Sequence, residues 1–284
     1  MRWTPGGRSQ DLEDRRGGGG GGGFLPGGGK GLGLGGVVVL LILSLVFKRD
    51  FLSLLGGGEG PAAAARGEVA SSPEEEKLVD FVSFVLDDAQ QTWDRLLPAQ
   101  GASYRRAKLV LFRDAVQSAC GSAEAATGPF YCPGDEKVYI DLGFYDELRR
   151  RFGAPGDFAQ AYVLAHEIGH HVQRVLGTEE RVRETQRRRP ELANALSVRL
   201  ELQADCYAGI WANSTARRDL LEQGDTEEAM SAAAAVGDDR IQRMGGRTVH
   251  PEAFTHGSAE ERTHWFQEGF GSGRLEACDT FRER

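Results

Sequence analysis

The stretch from Leu32 to Phe47, LGLGGVVVLLILSLVF, carries no charged residue and is closed by Lys48 and Arg49. Such a run has to be buried in lipid or in a protein core, and its surroundings decide which. Many of the chain's 39 glycines precede residue 60, so the part able to build a core is shorter than the full 284 residues. Sixteen helical residues reach roughly 24 Å at about 1.5 Å each, less than the roughly 20 residues a bilayer core asks for. Gly31 and its neighbours can extend the run, and Lys48 and Arg49 can snorkel at its other end. A cleaved signal peptide needs small residues soon after the apolar run. Here KRDFLSLL follows, and the first alanine-rich site, PAAAA from Pro61, lies far downstream. An uncleaved transmembrane anchor over residues 31–50 is therefore favoured over a cleaved signal or a buried core helix.

Orientation follows from the basic residues. Arg2, Arg8, Arg15, Arg16 and Lys30 precede the run, against Lys48 and Arg49 just after it. That excess favours a single pass through the cell membrane, with a cytoplasmic N-terminus and an extracytoplasmic C-terminal domain. Residues 1–30, glycine-rich and charged, read as a disordered cytoplasmic tail, and residues 51–72 as a linker. Residues 73–284 then form the folded domain. The net charge of -8 argues against nucleic acid as a partner. Cys120, Cys132, Cys206 and Cys278 contain no C-x-x-C pair, so a cysteine zinc cluster is disfavoured. In an exported domain an even number suggests two disulfides, Cys120 with Cys132 closing a short loop and Cys206 with Cys278 tying down the C-terminal tail. The alternative is four buried thiols.

Organised sequence begins at Ser72-Pro73-Glu74-Glu75, a helix start followed by apolar residues at helical spacing. KLVLF (108–112) and KVYIDL (137–142) read as strands, the second with Val138, Ile140 and Leu142 on one face and Tyr139 on the other. Asp157 with Gln160 makes a capping-box pattern, and Gly177 is placed to end the helix between them and it. A further helix starts at Pro190 and runs through SVRLELQADCYAGIWA, where Ala204, Ala208 and Gly209 would let another helix approach closely. Two more follow, around Asp225 to Val236 and from Ser258 to about Phe270. Many helices and few strands indicate an α+β fold, mostly helical with a small antiparallel sheet, rather than alternating βαβ units.

Within LAHEIGHHVQ (164–173), His166 and His170 stand four apart on one helix face and can direct both imidazoles at one tetrahedral zinc ion. Glu167 cannot join them as a ligand but stands where it could take a proton from a metal-activated water. H-E-x-x-H alone is only moderately specific; a third ligand is needed. The metzincin completion fails, because Gln173 and Leu176 occupy its glycine and third-histidine positions. Cys132 is available upstream for a deformylase-like site but lacks the context. Glu201, in ELQAD on the next helix, sits between Leu200 and Leu202, where a carboxylate needs a partner such as a metal. Asp205, one turn later, could accept the N–H of a zinc-binding imidazole.

LAHEIGHHVQ followed by SVRLELQADCYAG resembles a family of neutral zinc metallopeptidases, which are membrane-anchored bacterial proteins. GPFYCPGDEKVYIDLGFYDEL, GAPGDFAQAYVLAHEIGHH, AAAAVGDDRIQ, FTHGSAEER and the terminal CDTF extend the likeness, as does the MRW opening with EDRRG and its glycine-rich sequel. The E-x-x-A-D pattern is also similar to that of membrane-associated prenyl-protein and heat-shock metallopeptidases. The resemblance implies a zincin-like peptidase domain of the gluzincin type over residues 73–284. It implies one zinc ion at His166, His170 and Glu201, with Glu167 as the catalytic glutamate and protein or peptide as substrate. The alternatives are a zincin fold that binds without turnover, or a zinc hydrolase of a non-peptide amide. Among the remaining histidines, His171 points roughly 100° away from His170 and reads as structural or superficial, while His250 and His264 read as structural. His256 is a candidate stabiliser of the tetrahedral oxyanion. The KVYIDL strand is a candidate edge for peptide pairing.

Overall fold

A computed structural model describes residues 1–17, 71–124 and 128–282, all within one compact unit. The expected anchor at 31–50, most of the linker and the second half of the glycine-rich tail lie outside the described residues. No helix among the described residues is long and apolar enough to cross a membrane.

Helix α1, Pro73–Leu96, starts where Ser72 accepts the backbone N–H of Glu75 at 3.1 Å. Its buried face, including Val79, Val82, Leu86 and Trp93, belongs to the main core. The sheet contains β1 (Leu12–Asp14), β2 (Lys108–Phe112), β5 (Phe130–Cys132) and β6 (Lys137–Asp141), in the order β1-β2-β6-β5. β1–β2 and β2–β6 are parallel, while β5–β6 is antiparallel. The sheet is thus mixed and largely parallel, correcting the antiparallel expectation. Local alternation specifies which residues face the core but not the direction of a neighbouring strand. Leu109, Leu111, Val138 and Ile140 face the helices. Val110, Phe112 and Tyr139 face the other way, beneath the hairpin of β3 (Ala115–Ser118) and β4 (Gly121–Glu124).

β1 also overturns part of the disordered-tail expectation. Leu12, Glu13 and Asp14 are in register with Leu109, Val110 and Leu111, and Trp3 packs edge-on against Phe81 at 5.3 Å. Glycine-rich composition hid this strand, because three residues carry too little periodicity to read.

Short α2 (Gly143–Arg150) precedes α3 (Asp157–Val175), which carries the histidine motif. Asp157 opens α3 but does not cap it. The Glu228 carboxylate accepts the Phe158 N–H at 3.1 Å, and Gly156, at φ 118°, leaves the room it needs. Gly177, left-handed at φ 71°, ends the helix as expected. Helices α4 (Thr178–Arg188), α5 (Ala193–Ala216), α6 (Asp225–Ala235), α7 (Asp238–Met244) and α8 (Ala259–Ser272) complete the body. α8 has a full capping box between Ser258 and Glu261.

Both cysteine pairs are disulfides, Cys120–Cys132 and Cys206–Cys278. The second joins α5 to the C-terminal segment.

Candidate metal centre

Two close helix approaches build the site. A side chain at Gly169 of α3 would stand 2.9 Å from the Ala204 carbonyl oxygen of α5, so glycine lets the two backbones nearly touch. Gly209 of α5 and Gly269 of α8 play the same part, each facing the other helix's backbone where any side chain would collide. α5 is thereby held between α3 and α8, and Glu201 arrives opposite the two histidines.

His166 Nε2 lies 3.3 Å from one Glu201 oxygen, and His170 Nε2 lies 3.5 Å from the other. Ligand atoms of all three fall within 4.8 Å of one another. Donors roughly 2.0–2.1 Å from a tetrahedral zinc ion are about 3.3–3.4 Å apart, so the spacing suits that ion. The far side of each imidazole is already engaged. His166 Nδ1 faces Asp205 at 2.8 Å, and His170 Nδ1 faces the Gln173 side-chain oxygen at 2.9 Å. The Gln173 amide donates to the Leu200 carbonyl at 2.7 Å, which orients its oxygen toward His170. With both Nδ1 atoms donating, two Nε2 lone pairs and a carboxylate converge, and a cation or protons must lie between them.

The electrostatics agree. Burial disfavours the His166 imidazolium, but the Asp205 charge and hydrogen bonds to Asp205 and Glu201 outweigh it and lift the group to about 10. Burial likewise opposes the Glu201 carboxylate, yet His170 and His166 hold it well below the ordinary range. Protons complete the cluster in the metal's absence, and a metal would have to displace them. Glu167 behaves differently. Burial raises it, with only partial compensation from His170 and His166. The Tyr145 hydroxyl, close enough for the Glu167 charge to act on it, is buried with no hydrogen-bond partner among the described residues.

Asp205 is fully buried and serves more than His166. It accepts from the Tyr162 hydroxyl and, at 2.8 and 3.0 Å, from Nε and Nη2 of Arg262 on α8. Sequence reasoning missed Arg262, Tyr162, Gln173 and Tyr145. A readable sign existed for Arg262: it shares a helical stripe with Phe266 and Gly269, all three buried, and a charge on such a stripe needs a partner.

His166, Glu167, His170 and Glu201 open onto a cavity of about 680 Å³. Its lining includes Phe130, Phe144, Phe152 and Val163 as well as Arg183, Gln186 and Ser197. His256 is in its wall, with Nδ1 3.2 Å from Asp238. The hydrogen bond to Asp238 raises this imidazole, against the opposing effect of burial. His171 is on the far side of α3, fully buried between Tyr104 and Tyr131, so it is structural rather than superficial. His250 and His264, expected to be structural, are instead exposed. The KVYIDL strand, β6, lies between β2 and β5 and cannot be the edge. β5 is the edge strand next to β6, and its Phe130 and Tyr131 border the cavity.

Among known proteins, a family model described as "Putative neutral zinc metallopeptidase" matches residues 1–281. The uncharacterized protein YpfJ of Escherichia coli K12 is 42% identical over 288 residues, covering 99% of each chain. The uncharacterized proteins Mb2605 of Mycobacterium bovis and Rv2575 of Mycobacterium tuberculosis are 44% identical over 200 residues, covering 66% of each chain. No solved structure matches. With its first seventeen residues inside the fold and the matched region running from end to end of it, the chain belongs to the neutral zinc metallopeptidase family.

Proposed function

We propose that this chain is a membrane-attached, zinc-dependent endopeptidase in which His166, His170 and Glu201 hold one zinc ion and Glu167 is the general base. The observation that carries the reading is the convergence of three outward-facing lone-pair donors beside a buried carboxylate in an open cavity. When bound, zinc supplies a Lewis acid and makes water acidic enough to ionise near neutral pH.

The protein's own groups do the rest. Glu167 takes a proton from the attacking water at its carboxylate and returns it to the leaving amine; the raised proton affinity that burial gives it suits both tasks. Asp205 and Gln173 fix the two imidazoles through their Nδ1 protons. His256, with Nδ1 turned to Asp238, keeps Nε2 to donate toward the oxyanion when protonated. The β5 edge offers backbone groups to an extended peptide. The apolar lining of Phe130, Phe144, Phe152 and Val163 suits a large apolar side chain next to the scissile bond. Two disulfides favour an extracytoplasmic body, since such bonds persist in oxidising compartments.

The test is Glu167→Gln in the full chain. Zinc content measured by elemental analysis should match wild type, while peptide-library cleavage should fall by about 10²–10⁴-fold. Undiminished cleavage would sink the assignment. Retained zinc with no cleavage by wild type would point to a binding protein, or to a non-peptide amide as substrate.

A further inference from the structure

We infer that residues 1–17 and the peptidase body occupy the same side of the membrane. This rests on the membrane attachment in the reading above and replaces the single-pass orientation expected from the basic residues of the sequence.

The two ends of the intervening segment are fastened together. Arg16, with a nearly buried guanidinium, pairs with Glu75 and Glu76 in the first turn of α1, each at 2.9 Å. The last residues before the segment therefore touch the first helix after it. β1 adds backbone bonds: Leu109 N–H donates to the Asp11 carbonyl and Arg15 N–H to the Leu111 carbonyl, each at 2.8 Å. Arg2 N–H donates to the Leu220 carbonyl at 2.8 Å, deep in the C-terminal half. Lys108 pairs with Asp11 at 2.8 Å, Lys137 with Glu13 at 2.6 Å, and Ser9 donates to Asp87 at 2.6 Å. Trp3 packs against Phe81 and Phe84.

A single span would place β1 and β2 across a bilayer from each other, breaking all of these and leaving β2 with an unpaired edge.

The experiment uses the full chain in its membrane, with single cysteines introduced at two exposed positions, Thr4→Cys and Glu268→Cys. The native cysteines are disulfide-bonded and do not compete. A membrane-impermeant maleimide is applied before and after permeabilisation. The expected result is that both positions label completely from the same face. Labelling from opposite faces overturns the inference. If both are reached only from the cytoplasmic face, the shared side stands and the extracytoplasmic assignment falls; zinc chemistry is judged separately by Glu167→Gln. A second measurement guards against a detached N-terminus. Glu13→Cys with Val110→Cys, register partners in β1 and β2, should cross-link under mild oxidation in the membrane-bound protein. Absence of the cross-link in otherwise active protein also overturns the inference.

Discussion

Two clusters of three ligand-type side chains occur among the described residues, and distance alone does not separate them. His166, His170 and Glu201 form one; Asp157, Asp225 and Glu228 form the other, each with donor atoms within 4.8 Å of one another. Their surroundings differ. The acidic cluster already holds a protein cation: the Met1 amino group is 2.7 Å from Asp157 and 3.4 Å from Asp225. Glu228 is occupied with the α3 N-terminus. In the histidine cluster the nearby cation, Arg262, is turned to the back of the site and spent on Asp205, leaving the front donors facing one another. A metal site is thus distinguished by lone pairs that the protein itself leaves unmatched, next to a cavity.

The strongest way to break this contrast is to neutralise one carboxylate in each cluster. Glu201→Gln should abolish zinc retention through dialysis and lower peptide cleavage by at least about 10³-fold, since activation and electrostatic stabilisation are lost together. Asp225→Asn should leave zinc content and cleavage unchanged and lower stability only modestly, by about 1 kcal/mol. Zinc loss in Asp225→Asn, or zinc retention in Glu201→Gln, would show that the clusters have been assigned the wrong way round.

A sharper question is whether Arg262 is needed behind the histidine cluster. Arg262→Met leaves the buried Asp205 carboxylate without its guanidinium, and breaking a buried pair in this way costs about 3–5 kcal/mol. Chemical denaturation of the metal-free protein should report that loss. Zinc affinity by chelator competition should also fall, by roughly 10–100-fold, because Asp205 positions His166. Adding Asp205→Asn to Arg262→Met should cost less than the two changes summed. Strict additivity would mean that the pair does not act through one network.

What the sequence made legible follows from how local the cause is. The Ser72 and Ser258 caps, the Gly177 terminus and the β2 and β6 strands depend on residues within a few positions, and the structure has them. The small residues likewise announced close helix approaches, Gly209 that of α8 and Ala204 that of α3. The pairing of His166 with His170 was legible in the same way, because i,i+4 spacing on one buried helix leaves little freedom. What stayed hidden depends on distant partners. Asp157 lost its capping role to Glu228, which lies 70 residues beyond the Phe158 N–H it accepts. β1 found its partner across α1, and α4, with Val182 as its one buried apolar residue, has no periodicity to read. Gln173, which merely excluded a metzincin on sequence grounds, turned out to orient His170.

The smallest expected effect comes from comparing adjacent histidines. His170 is raised: burial opposes its charge, and Glu201 outweighs the burial. His171 is lowered, because burial dominates over its hydrogen bond to the Arg105 carbonyl. Nε2 donates to that carbonyl at 2.5 Å and Nδ1 accepts from the Tyr131 hydroxyl at 3.0 Å, so the neutral ring satisfies both partners. Protonation would add a second donor facing a hydroxyl that must then turn away. The unfolded chain binds this proton near pH 6.5 and the folded one only at lower pH, so stability should fall as pH drops through that range and be unaffected by this group above it. His171→Gln keeps a donor toward Arg105 but removes the titration. Urea midpoints of metal-free wild type and variant, compared from pH 7 to pH 5, should therefore converge as the solution becomes acidic. The two histidines contribute acid slopes of opposite sign in metal-free protein, so the difference between the curves, rather than either curve alone, isolates His171. Parallel curves would mean that the ring binds its proton equally well folded and unfolded, and diverging curves that it is charged in the native state; either outcome would overturn the tautomer inferred from its partners.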